Sequence, residues 1–214
     1  MNADEKRIRK VMALLKRRYG AGRPPFLHFS TPWQALAATI LSAQAQDATV
    51  NRATAILFKK YKDVEDYASL KPEQLYKYVG SIGLYKGKSK SIVNSAKLIV
   101  SDFNGKVPKT IDDLVKLPGV GRKTANVVLA NAYGINEGIA IDTHCIRVSN
   151  KLGFVKTKDP VKIEKRLMAI APKSDWREIN HLFIDLGRDV CTARRTYCER
   201  CILNRICPSS TVKR

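Results

Sequence analysis

The chain has 214 residues, 44% of them apolar, which is enough to bury one or two cores. Its 39 Lys and Arg against 19 Asp and Glu leave a formal net charge of +20. Such an excess points to a polyanion, nucleic acid first, because each cation set against a phosphate releases a condensed counterion. No apolar run approaches the roughly 18 residues that a membrane-spanning helix needs. The opening MNADEKRIRK is not followed by the apolar segment of a signal peptide, so a cytoplasmic, nucleoid-associated protein without membrane contact is expected.

Helical periodicity runs through almost the whole chain, and no convincing alternation of β-branched residues interrupts it. Glu5–Arg18 carries Ile8, Val11, Met12, Leu14 and Leu15 at helical spacing, and Gly20 to Pro25 breaks it. Pro32–Gln46 (PWQALAATILSAQAQ) is apolar enough for a buried helix. Amphipathic helices are expected over Thr49–Lys62 and Pro72–Val79, the second opened by its proline. Lys86–Phe103 should end at Asn104-Gly105. Thr110 caps a short helix, and Arg122 to Tyr133 forms another, closed by Gly134. Asp142 is placed to cap a helix from Thr143 to Lys151. Asp159-Pro160 and Ser174-Asp175 open the last two, the final one reaching Val190. About ten helices and no strand describe an all-α protein.

Leu117–Ala125 (LPGVGRKTA) reads as helix, glycine-rich turn, helix. Gly119 and Gly121 allow backbone conformations and close approaches that a side chain would prevent. Val120 can pack the turn onto the core. The turn and the first N–H groups of the next helix can then face a phosphate. A plain interhelical turn would carry the same two glycines, but in a chain of this charge a clamp on the DNA backbone is favoured. Lys123 follows directly. A deprotonated amine there could attack the electrophilic C1′ of a nearby sugar and form a Schiff base. That requires a lowered pKa, from desolvation or from positive neighbours such as Arg122. Asp142, in IAIDTH, could stabilise charge on the sugar and assist proton transfer, or serve simply as a helix cap. Nineteen positions separate the two, so only the fold can bring them together.

Four of the five cysteines, Cys191, Cys198, Cys201 and Cys207, form C-x6-C-x2-C-x5-C. Four thiolates this close in sequence can hold one zinc ion or a cubane iron–sulfur cluster, and their chemistry alone does not choose between them. Between the first two lies TARRTY, which a bound metal would tether at both ends, presenting Arg194 and Arg195 to phosphates.

The segments LSAQAQDATVNRA (Leu41–Ala53), Gly83-Leu84-Tyr85, LPGVGRKTANVVL (Leu117–Leu129), Asp142-Thr143-His144 and the cysteine spacing resemble the endonuclease III family, in its order and over essentially the whole chain. The resemblance implies a two-lobed helix–hairpin–helix DNA glycosylase fold with a C-terminal [4Fe–4S] cluster loop. Residues 24–135 would form a helical barrel domain. Residues 1–23 plus 136–214 would form a discontinuous cluster domain. Lys123 would be the Schiff-base nucleophile and Asp142 the catalytic aspartate, facing each other from opposite lobes. Gln44 would fill the gap left by an extruded base and Leu84 would intercalate. Gly119, Val120, Gly121, Arg194 and Arg195 would bind the DNA backbone, and Lys86, Lys88 and Lys90 suit phosphates. The implied activity is base-excision repair: a monomeric, bifunctional glycosylase removing oxidised pyrimidines from double-stranded DNA, with abasic-site lyase activity by β-elimination. Glycosylases of the mismatch kinds resemble the hairpin but carry Ser or Tyr where Lys123 stands. A mismatch-type glycosylase and a non-catalytic DNA-binding module are the alternatives. Bacterial members of the family carry an acidic residue before the hairpin, where this chain has Val115.

Overall fold

The computed structural model describes residues 1–22 and 24–212, and its chain divides into two compact units. Residues Met1–Arg23 with Gly138–Arg214 form one, and Pro24–Glu137 the other. Among the described residues there is no strand, only an isolated antiparallel bridge between Cys191 and Thr196.

In the 24–137 unit, α2 (Pro32–Ser42) is the central rod, buried from Trp33 to Leu41. Thr31 caps it by accepting from the Gln34 N–H, and Pro32 sits where a missing N–H costs nothing. Around it pack α3 (Asp47–Lys60), α6 (Tyr85–Asp102) and α8 (Arg122–Val128). The short helices α4 (Val64–Ala68), α5 (Tyr76–Val79) and α7 (Ile111–Leu114) complete the unit. Pro72–Leu75 forms a 3-10 turn ahead of α5, so the single helix expected from Pro72 to Val79 is split. The last turn after α8, Leu129–Tyr133, widens to a π-helix before Gly134 stops it at a φ of 69°.

The apolar stretch from Pro32 does not stay helical to Gln46: α2 ends at Ser42. Ala43 leaves the helix at φ −55°, ψ 118°, and Gln44 adopts a left-handed φ of 54°. The Leu41 carbonyl accepts instead from the Lys88 ammonium at 2.8 Å. A charged donor thus closes the helix end where chain continuation was expected.

In the other unit, α11 (Trp176–Asp189) packs against α9 (Thr143–Lys151) and α1 (Ala3–Tyr19), with α10 (Pro160–Ile170) beside α1 and α9. Ile8, Val11, Met12 and Leu15 of α1 are buried as the periodicity required. Lys16 ties α1 to the start of α11, with Nζ 2.7 Å from Asp175 Oδ1 and 2.6 Å from Glu178 Oε2. Burial alone would raise the Glu178 carboxyl. Hydrogen bonds from Lys16 and the Gly22 N–H, with the charges of Lys16 and Arg177, outweigh it and hold that carboxyl below its ordinary value. A depressed carboxyl stabilises the fold above the unfolded value of 4.5, and that contribution fades as pH falls through the folded value. Lys16→Met should cost about 1 kcal/mol near neutrality, the pair being part-exposed. Melting curves between pH 7 and pH 3 should show a smaller loss of Tm for the variant than for the parent chain. Equal losses would contradict this assignment.

Candidate active site

The turn between α7 and α8 is shaped by two neighbours. The Val120 N–H donates to the Leu117 carbonyl at 3.1 Å, and both side chains are buried in the core. Ser95 Oγ of α6 donates to the Pro118 carbonyl at 2.9 Å. The two glycines serve different needs. Gly119 has a φ of 79°, and a Cβ there would stand 2.8 Å from Ser91 Cβ and 3.6 Å from Ile40 Cγ2. Only glycine suits both the conformation and the contact. Gly121 has an ordinary φ of −94°, is exposed, and has nothing within 4 Å of a built Cβ. Its freedom is on the outside, where another molecule can approach the backbone.

Lys123 stands in the first turn of α8 and is exposed. Val115, two residues before the turn, is 42% exposed, with no carboxylate in its own side chain to serve the lysine.

Asp142 belongs to the other unit. It caps α9, Oδ1 accepting from the Cys145 N–H at 2.8 Å, and is half-buried. His144 follows in the first turn. Burial holds its imidazole below its ordinary pKa; the nearby Asp142 opposes this, while Arg147 and Arg188 reinforce it. An Arg147 guanidinium nitrogen lies 3.1 Å from His144 Nδ1 and donates to the Gly187 carbonyl at 3.0 Å. Its Nε donates to the Cys191 carbonyl at 2.9 Å. Arg147, unremarked in the sequence, thus joins the helix that Asp142 caps to the first cysteine of the C-terminal loop. The sequence signal was its place one turn after His144 on the same helix face. Cys145 is fully buried, its thiol near Ala140 and Asn180.

Gln44 and Leu84 are both exposed, and both hold left-handed backbones, at φ 54° and 60°. Leu84 is the N-cap of α6 and is 70% exposed, so it is not the core residue its type suggests. Of the three lysines that follow, Lys86 and Lys90 are exposed but Lys88 is only 7% exposed. It is not available to a phosphate, and that expectation is corrected.

The four C-terminal thiols line one cavity together with Val148, Leu152, Leu186, Val190 and Leu203. Burial raises the thiols of Cys191, Cys201 and Cys207, whereas hydrogen bonds from Thr211 lower Cys198. None is in a disulfide. Among the described residues no group of three or more His, Cys, Asp or Glu is gathered to hold a metal ion. The Thr192–Tyr197 loop carries its own ties besides. Thr192 Oγ1 accepts from the Arg195 N–H at 3.1 Å, and the Tyr197 N–H donates to the Val190 carbonyl at 2.8 Å. Arg194 and Arg195 are exposed, with Arg195 over the Tyr197 ring at 5.0 Å. No helix of the described residues is long and apolar enough to cross a membrane.

Residues 37–173 match the family described as HhH-GPD superfamily base excision DNA repair protein. The chain is 48% identical to endonuclease III of Bacillus subtilis over 179 residues, covering 83% of this chain and 81% of that protein. It is 41% identical to endonuclease III of Synechocystis over 210 residues, covering 98% and 95%. Among solved structures it is similar to a trapped endonuclease III–DNA covalent intermediate, with a TM-score of 0.89 at 39% identity, covering 98% of this chain and 97% of that one. A thermostable thymine-DNA glycosylase shares the fold, with a TM-score of 0.86 at 22% identity, covering 97% and 98%. The fold and the identity over most of the chain place it in one group: the chain belongs to the endonuclease III family of helix–hairpin–helix base-excision DNA repair proteins.

Proposed function

We propose that this chain is a base-excision-repair enzyme acting on double-stranded DNA, a bifunctional DNA N-glycosylase for oxidised pyrimidines with abasic-site lyase activity. The observation that carries the reading is Lys123 itself: an exposed primary amine two residues beyond an open, glycine-lined turn, in a chain of net charge +20. A phosphate held at the turn would bring a deoxyribose near the amine. Nζ displaces the damaged base at C1′, the iminium forms as the sugar ring opens, and loss of the 2′ proton expels the 3′ phosphate. Water is kept from the amine by the bound DNA, since the protein leaves it exposed. Asp142 is assigned the stabilisation of positive charge on the sugar and the proton transfers around that step. A neutral His144, held by Arg147, leaves Asp142 without a competing imidazolium beside it. Gln44 and Leu84 are assigned the opening of the duplex.

Cys191, Cys198, Cys201 and Cys207 would hold a [4Fe–4S] cluster. The donor set suits it in kind: four part-buried thiols line one apolar cavity. When bound, the cluster supplies rigidity rather than chemistry at the sugar, fixing the loop that offers Arg194 and Arg195 to phosphates. The units 24–137 and 1–23 with 138–214 would then be the hairpin domain and the cluster domain.

Borohydride reduction in the presence of a duplex bearing an oxidised pyrimidine should give a covalent protein–DNA adduct. Lys123→Ala should abolish the adduct while retaining DNA binding, and Asp142→Asn should slow its formation about a hundredfold or more. An undiminished adduct with Lys123→Ala would overturn the assignment. The purified protein should be brown and carry roughly four iron atoms per chain. Cys201→Ala should lose the colour and weaken duplex binding; a colourless protein with one zinc would overturn the cluster.

A further inference from the structure

Lys88 is the one lysine of its stretch turned inward, and its two hydrogen bonds run to two different tips. Its backbone N–H donates to the Leu84 carbonyl at 3.1 Å, one turn back along α6. Its ammonium donates to the Leu41 carbonyl at 2.8 Å, three residues before Gln44. Past Gln44, the Gln46 carbonyl accepts from the Thr49 and Val50 N–H groups. Ala43, Gln44 and Gln46 are exposed, and the Ala45 N–H donates to the Ser42 carbonyl at 3.0 Å. A left-handed non-glycine residue is strained and persists only where its surroundings impose it. Further along the same face of α6, Ser91 abuts Gly119 and Ser95 Oγ holds Pro118. Positions 84, 88, 91 and 95 follow the helical repeat. One helix face therefore sets the wedge, the glutamine loop and the hairpin against a common rod. Burial lowers the pKa of the Lys88 amine, as for a side chain withdrawn from solvent.

We propose that Lys88 is a positioning residue that fixes the Gln44 tip relative to the Leu84 tip, so that both enter the duplex together. The inference rests on reading those two side chains as the pair that opens the duplex.

Single-turnover cleavage of a duplex with an oxidised pyrimidine, using the cluster-loaded enzyme, tests it. Lys88→Met should slow cleavage about tenfold or more, the effect of losing a charge-assisted hydrogen bond. Gln44→Ala and Leu84→Ala should each slow it as well. Combined with Gln44→Ala, Lys88→Met should add little, because it acts through that residue. The salt dependence of binding should be unchanged in Lys88→Met, whereas Lys86→Met should lower the slope by about one if it meets a phosphate. Ala43→Gly, an exposed change that frees the same loop without touching Lys88, should also slow cleavage, and it keeps the proposal testable if Lys88→Met fails to fold. Additive losses, a reduced salt slope in Lys88→Met, or normal cleavage by Lys88→Met or Ala43→Gly would overturn the proposal. If Gln44→Ala and Leu84→Ala both cleave normally, the duplex-opening reading fails first. If they are impaired while Lys88→Met is not, only the role of Lys88 fails.

Discussion

The contact between Gly119 and α6 is the constraint on which the rest of the hairpin unit depends. Without a side chain at 119, the turn can lie on Ser91 and Ile40 with a left-handed backbone. That seating leaves Val120 pointing into the core and Gly121 and Lys123 pointing out. A Cβ at 119 would stand 2.8 Å from Ser91 Cβ, so the turn or its neighbour on α6 would have to shift. The same helix α6 carries Leu84 at its start and anchors the end of α2 through Lys88. Three exposed features of a single unit are thus referenced to one rod, and a sequence-independent grip on DNA needs such fixed spacing.

The other unit is organised around a comparable joint. Arg147 reaches the Gly187 and Cys191 carbonyls from the helix that Asp142 caps. The first residue of the cysteine loop is thereby hydrogen-bonded to a side chain of α9. Lys16 performs the same service between α1 and α11, so the N-terminal helix is bound into a unit otherwise built from the C-terminal half.

The helices, their caps and the hairpin were legible because they are written locally. Thr110, Asp142 and Asp159 all cap as their positions suggested. The end of α2 was not legible. Ser42-Ala43-Gln44-Ala45 has nothing that breaks a helix, and the donor that closes it comes from residue 88, far along the chain. Lys88 itself was misread because charge in a basic run looks solvated. Its spacing from Ile92, Ala96 and Ile99, all buried, places it on the apolar face and was the available clue. The role of the two glycines was half legible. Sequence alone gave them one purpose, while the structure assigns a steric need to Gly119 and open space to Gly121.

Affinity for a duplex with an abasic site is the most direct measure of whether the seated turn governs DNA binding, with Gly119→Ala as the variant. The account predicts a loss of about tenfold or more, since the methyl group meets both a disfavoured φ and the Ser91 side chain. Wild-type affinity in Gly119→Ala, with the protein fully folded, would contradict it.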